Sequence, residues 1–344
     1  MPDLDRGNSQ AALTCGPDAL CLSAPALRGI LLSVTIMKRH AIRLTGPGAA
    51  GPRVSLQTLR ELADVVLTSA QQAVRLRAEG RGSVSGPLPA WLERASAVDL
   101  VALEAGSTQV ILEAPTLAEA VPDRFAQGDF FSALDPNETA IDVLEESLDD
   151  ALAENATSER FDGALVKSFA AFGKLFRHGI DGLEFDGRSK IRVDAAGLNR
   201  LEHLQQKIPA DQRVMIVGKI EMLRHTGRMF TVRVEDGTEL RGVVASDQIS
   251  TEDLSRVWGH LARVSGWAKY RTSGDVLRIE ADAIEAAEDG LSVLSRVPTS
   301  LLPALDLRSL HKPQGPRSGV SAVMGRWPGD ETDDEVDELL TELS

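Results

Sequence analysis

The side chains able to do acid–base, nucleophilic or metal chemistry are scattered along this chain rather than grouped. Six histidines stand at positions 40, 178, 203, 225, 260 and 311, and no two form the close pair that would share a metal ion. Cys15 and Cys21 have no neighbouring histidine or second cysteine pair to complete a zinc site, so both read as reduced thiols. Asp142, Glu145, Glu146, Asp149 and Asp150 crowd one predicted helix, where they read as its water-facing side rather than as a magnesium site. Gly106-Ser107 lacks the G-x-S-x-G frame of a nucleophile turn, and ordinary hairpin chemistry accounts for the glycine. P-loop, Rossmann, H-E-x-x-H and kinase signatures are all missing from the sequence. The expectation is therefore a binding protein with no catalytic residue, no metal and no cofactor. An enzyme assembled from distant residues is the last alternative.

Two groups of residues suit binding. The first is C-terminal. Trp327-Pro328-Gly329 precedes an acidic run in which Val336, Leu339, Leu340 and Leu343 recur at helical spacing. Eight of the last fifteen residues are acidic and none is basic, a pattern expected to be disordered alone and to fold on a basic partner. A tryptophan anchor, a turn and an acidic amphipathic helix make a short recognition element. Its contact residues would be Trp327, Pro328, Asp330, Glu331, Asp333, Asp334, Val336, Leu339, Leu340 and Leu343. In the second group, Lys219, Arg224, Arg228, Arg241, Arg263, Lys269 and Arg271 could meet phosphates, with Trp267 and Tyr270 to stack on bases. Trp267 and Tyr270 fall in opposite phases of one strand, so at least one faces outward. Glu221, Glu235, Asp236, Glu239 and Asp275 offset much of that basic charge.

The tail wording, W-P-G-D-E-T-D-D-E followed by spaced leucines, resembles C-terminal segments of bacterial proteins encoded beside PIN-domain ribonuclease toxins. The resemblance covers only residues 325–344. It implies an antitoxin-like partner for a protein with an acidic metal site and basic surface nearby. Trp327 and the leucines would plug the entrance, while Asp330, Glu331, Asp333 and Asp334 engage basic residues. The leading expectation is thus a cytoplasmic regulatory protein whose tail binds, and neutralises, a basic ribonuclease. Single-stranded nucleic-acid binding through residues 211–290 is the alternative.

The elements that would carry these groups read as an α+β chain. Apolar alternation over 214–223, 229–235, 240–244, 261–270 and 276–284 predicts five strands, with Asp236-Gly237 and Ser273-Gly274 as turns. A short helix capped by Ser250 or Thr251, with Leu254 and Val257 inward, separates the third from the fourth. Gly218 and Gly266 sit mid-strand, where a small barrel needs bends or bulges. The order of strands and helix over 213–286 resembles an oligonucleotide/oligosaccharide-binding (OB) fold, with an SH3-like barrel as nearest rival.

Upstream, 1–36 reads as a disordered extension, and Met37 is an alternative start. Residues 37–130 read as an α+β domain: a short strand at 41–44, a helix from Ser55 to Glu79 ended by Gly80, and a hairpin at 98–103 and 108–114. Residues 131–210 read as a helical block. Its helices span 139–152, 161–176 and 198–207, with a short hairpin at 183–185 and 191–193. The apolar face of 161–176, with Phe169, Phe172 and Phe176, is expected to pack in the core or to join copies of the chain. Residues 211–290 are the barrel, 291–324 a linker and 325–344 the recognition tail. The 344 residues carry a formal charge of −14 with a pI near 5.0, which argues against broad nonspecific DNA binding. No apolar run reaches membrane-spanning length.

Overall fold

The computed structural model describes residues 37–300 except 50, 52, 84–85, 105–107, 126–133, 225–228, 246–248 and 288–293. The expected extension before Met37 and the recognition tail containing Trp327 lie outside the described residues. The described chain is mixed α/β and builds two hydrophobic cores, one from residues between 42 and 204 and one from residues between 216 and 284.

The first core lies between a five-stranded antiparallel sheet and a layer of helices. In chain order the elements are β1 (Met37–Thr45), α1 (Leu56–Glu79), α2 (Ala90–Ala95), β2 (Asp99–Glu104) and β3 (Gln109–Pro115). Then come α3 (Leu117–Ala120), α4 (Pro122–Phe125), α5 (Ala140–Leu152), α6 (Gly163–Ala170) and α7 (Gly173–Phe176). β4 (Gly182–Asp186), β5 (Lys190–Asp194) and α8 (Ala195–Lys207) complete it. Sheet order is β2-β3-β1-β4-β5. β1 is central because its alternate residues His40, Ile42 and Leu44 are buried, while both of its edges find partners. The pairing of β1 with β4 joins the expected N-terminal domain to the expected helical block, so residue 130 marks no boundary in the core.

α1 forms where capping and periodicity agree. Ser55 Oγ accepts from Thr58 N at 3.0 Å, and Gly80 ends the helix in the left-handed region at φ 71°. The small residues Ala70 and Ala73 lie fully buried on its inner face, and α1 packs against both α5 and α6. The single helix expected over 161–176 is instead α6 and α7. Amides 171, 172, 174 and 175 bond carbonyls three residues back, which tightens the chain into a corner. The corner aims Phe169, Phe172 and Leu175 into this core, and Phe172 packs edge-on against Phe185 with ring centroids 5.8 Å apart. Those side chains pack in this core, and Phe176 is half-buried against it.

α5 corrects a second expectation. Asp142 and Glu145 do not face water, because the helix is walled on several sides. Asp142 closes a capping box with Thr139, whose hydroxyl also meets His40 Nε2 at 2.9 Å. Glu145 is 3% exposed and packs against Gly187 in the β4–β5 turn. Burial, with help from Asp142 and Asp186, pushes the Glu145 carboxyl up to about 8. Burial likewise lowers His40, outweighing the opposite pull of Asp142.

The second core fills a closed five-strand barrel. Its elements are β6 (Gln212–Arg224), β7 (Met229–Arg233), β8 (Glu239–Val244), α9 (Thr251–Val257), β9 (Leu261–Tyr270) and β10 (Val276–Ala286). Strand order around the barrel is β10-β8-β7-β6-β9, and the parallel pair β8–β10 closes it. β6 is long enough to pair with β9 along its first half and β7 along its second. Its bulge falls at Glu221, between Ile220 and Met222, and not at Gly218. Gly218 serves a close approach instead: a Cβ there would stand 2.6 Å from the Arg233 carbonyl oxygen. Among the described residues no helix is long and apolar enough to cross a membrane.

Candidate functional site

The outer face of β7 and β8 is not bare. Val243 lies outside the apolar set that fills the barrel yet is 1% exposed, because the end of α1 covers it. Gly80, the residue that ends α1, lies against Val243 and Met229; a Cβ on it would meet Val243 Cγ2 at 2.9 Å. Beside this contact a cleft of about 490 Å³ remains open. Its apolar floor includes Leu76, Met222, Val243 and Leu277. Arg77, Arg160, Arg241 and Arg278 line it, against two carboxylates, Asp150 and Glu159. An apolar floor under several guanidinium groups suits a ligand that is part flat and apolar, part anionic.

Each arginine is positioned from a different segment. Arg77 sits in the last turn of α1 and bonds Glu146 at 2.8 Å. Arg160 belongs to the turn between α5 and α6, which leaves α5 through Glu154 at φ 51°. Ser158 anchors this turn by donating to Asp150 at 2.6 Å and accepting from Arg160 N at 3.0 Å. Arg160 itself lies 3.6 Å from Asp150 and 3.7 Å from Glu146. Burial works to raise Glu146, but Arg77, the neighbouring Glu138 and Arg160 outweigh it and hold it below the ordinary carboxylate range. Glu138 goes the other way, pushed up by burial and by Glu146.

Arg278 ties the two cores together. It is 5% exposed on β10 and donates to Asp162 at 2.7 Å and to Glu280 at 2.9 Å. Asp162 is also the N-cap of α6, accepting from Leu165 N at 2.9 Å. Burial would raise Asp162, but the charge of Arg278 and these hydrogen bonds hold it below the usual range. Among the described residues, Arg278 Nη1 is buried without a hydrogen-bond acceptor.

The predicted phosphate contacts do not share one face. Arg241 on β8 and Arg271 just after β9 meet at one carboxylate, Glu159. Lys219, Arg263, Trp267 and Lys269 project from the β6–β9 side instead. There Arg263 pairs with Glu285, and Lys269 with Asp211. Trp267 is 46% exposed. Tyr270 points inward, 2% exposed, with its hydroxyl 3.3 Å from Gln212 Oε1, so its ring offers no face for a base. Arg224 ends β6, and Arg228 lies outside the described residues.

Sequence reading missed Arg77, Arg160, Arg278 and Glu159. The one usable signal was Arg278, a cation set among Val276, Leu277 and Ile279 in a strand with few exposed positions. Among the described residues no group of three or more His, Cys, Asp or Glu side chains is arranged to hold a metal ion. No family model matches the chain, and no curated protein or solved structure matches it significantly.

Proposed function

We propose that this chain is a regulatory binding protein whose barrel takes single-stranded nucleic acid in the arginine-lined cleft. The strand order and the helix between the third and fourth strands resemble the OB fold, in which the second and third strands and the loop from fourth to fifth form the ligand face. The corresponding positions here are β7, β8 and the turn beginning at Arg271. The observation that supports the reading is the set of four arginines over an apolar floor, one of them a buried guanidinium with an unused donor. Phosphates would take the arginines, and a base would lie on the floor.

A fluorescein-labelled single-stranded oligonucleotide titrated with the full chain tests this. Anisotropy is expected to rise at low salt. The logarithm of affinity should fall with that of salt concentration by about 0.7 per phosphate held. Arg241→Ala should weaken binding to all sequences alike and reduce that slope by about one contact. Lack of any binding at low salt would overturn the reading.

The acidic C-terminal segment supports a second, separable binding element. Trp327 and the spaced leucines Leu339, Leu340 and Leu343 suit docking on a basic protein surface, in an antitoxin-like manner on a PIN-domain ribonuclease. Deleting residues 325–344 is expected to abolish inhibition of such a ribonuclease while leaving oligonucleotide affinity unchanged. Full inhibition by the truncated chain would remove this element from consideration.

A further inference from the structure

Glu159 spans two cations of the barrel with its two oxygens. Oε1 accepts from Arg271 Nη2 at 2.7 Å, and Oε2 accepts from Arg241 Nη1. The two arginines come from different parts of the barrel, β8 and the turn after β9, while Glu159 comes from the other core's α5–α6 turn. That turn is held from both ends. Glu154 pairs with Lys207 at 2.6 Å, and Asp162 with Arg278 at 2.7 Å. The carboxylate is therefore brought to the arginines by built structure, although the side chain itself is 44% exposed. A doubly bonded anion between two guanidinium groups has the geometry of a phosphate contact. The fit is incomplete, because both carboxylate oxygens are used and the buried Arg271 Nε has no acceptor among the described residues. A phosphate has further oxygens to offer it.

We propose that Glu159 is a resident competitor, occupying the place where a nucleic-acid phosphate bridges Arg241 and Arg271. This rests on the reading of the barrel given above. The ligand enters by exchanging one anion for another, so the arginines are never left unpaired. Exposed ion pairs of this kind are weak, which keeps the exchange shallow. The resting chain then binds more weakly than it would without this carboxylate, and any event that removes the Glu159 charge from Arg241 and Arg271 raises affinity.

The test uses the full chain and a labelled oligothymidine probe. Glu159→Gln and Glu159→Ala are each expected to bind roughly three- to tenfold tighter than the parent. Glu285→Gln removes the same charge from Arg263, outside the cleft, and should change affinity by less than about twofold. The gain should vanish when Glu159→Gln is combined with Arg241→Gln. If Glu159→Gln gains no more than Glu285→Gln while the parent binds and Arg241→Gln weakens it, the competitor is disproved and the barrel reading survives. If neither the parent nor any variant binds, both fall.

Discussion

Replacing Arg278 with methionine is expected to destabilise the chain by about 3–5 kcal/mol, the usual cost of leaving a buried charge without its partner. Asp162 would stay buried at the α6 N-terminus with only backbone donors for company. Arg278→Met together with Asp162→Asn should recover most of the loss, because asparagine caps the helix and carries no charge. Urea unfolding followed by far-UV circular dichroism reads both effects. A single variant as stable as the parent, or a double variant no better than the single, would show that this pair does not hold the cores together. The link also has an acid limit. Asp162 is depressed below its ordinary 3.8, so its contribution is present above that value and is lost as pH falls through the lower folded value.

Glu145→Gln should act in the opposite direction. The folded chain keeps a proton on Glu145 up to about pH 8, whereas the unfolded chain releases it near 4.5. Folding therefore binds a proton between those values, and stability declines as pH rises across that window. Glutamine mimics the protonated acid at every pH. The substitution is expected to flatten the decline and to add on the order of 3 kcal/mol at pH 8, or roughly 5–10 °C in melting temperature, with little change at pH 4. Melting curves at the two pH values check it. An unchanged or lower melting temperature at pH 8 would mean that the carboxylate finds compensation in the folded chain.

These two residues also show where reading the sequence succeeds and where it stops. Ser55 and Gly80 bracket α1 because caps are local chemistry, visible within a few positions. The barrel strands were legible for the same reason: alternation and the Asp236-Gly237 turn declare themselves within one hairpin. Periodicity placed Trp267 and Tyr270 in opposite phases, but only the closed barrel decides which phase is inside. Glu145 looked solvated because a helical pattern assigns charged residues to water unless a second wall is known. That wall, the β4–β5 turn, lies about forty residues downstream. The cleft was hidden more deeply still. Arg77, Arg160, Arg241 and Arg278 come from four segments of two cores, and no spacing along the chain relates them. Tertiary proximity, rather than any motif, makes them a group.

The pairing of β1 with β4 has a consequence for synthesis. Thr45 and Gly182 are partners across 137 positions, so the middle strand of the sheet must wait for its second neighbour until most of that module has left the ribosome. Until then the emerging chain exposes one side of β1, an open template for mispairing. The five barrel strands, by contrast, are translated consecutively and can assemble soon after they appear. A chaperone that shields nascent chains would thus be needed early in translation and dispensable late.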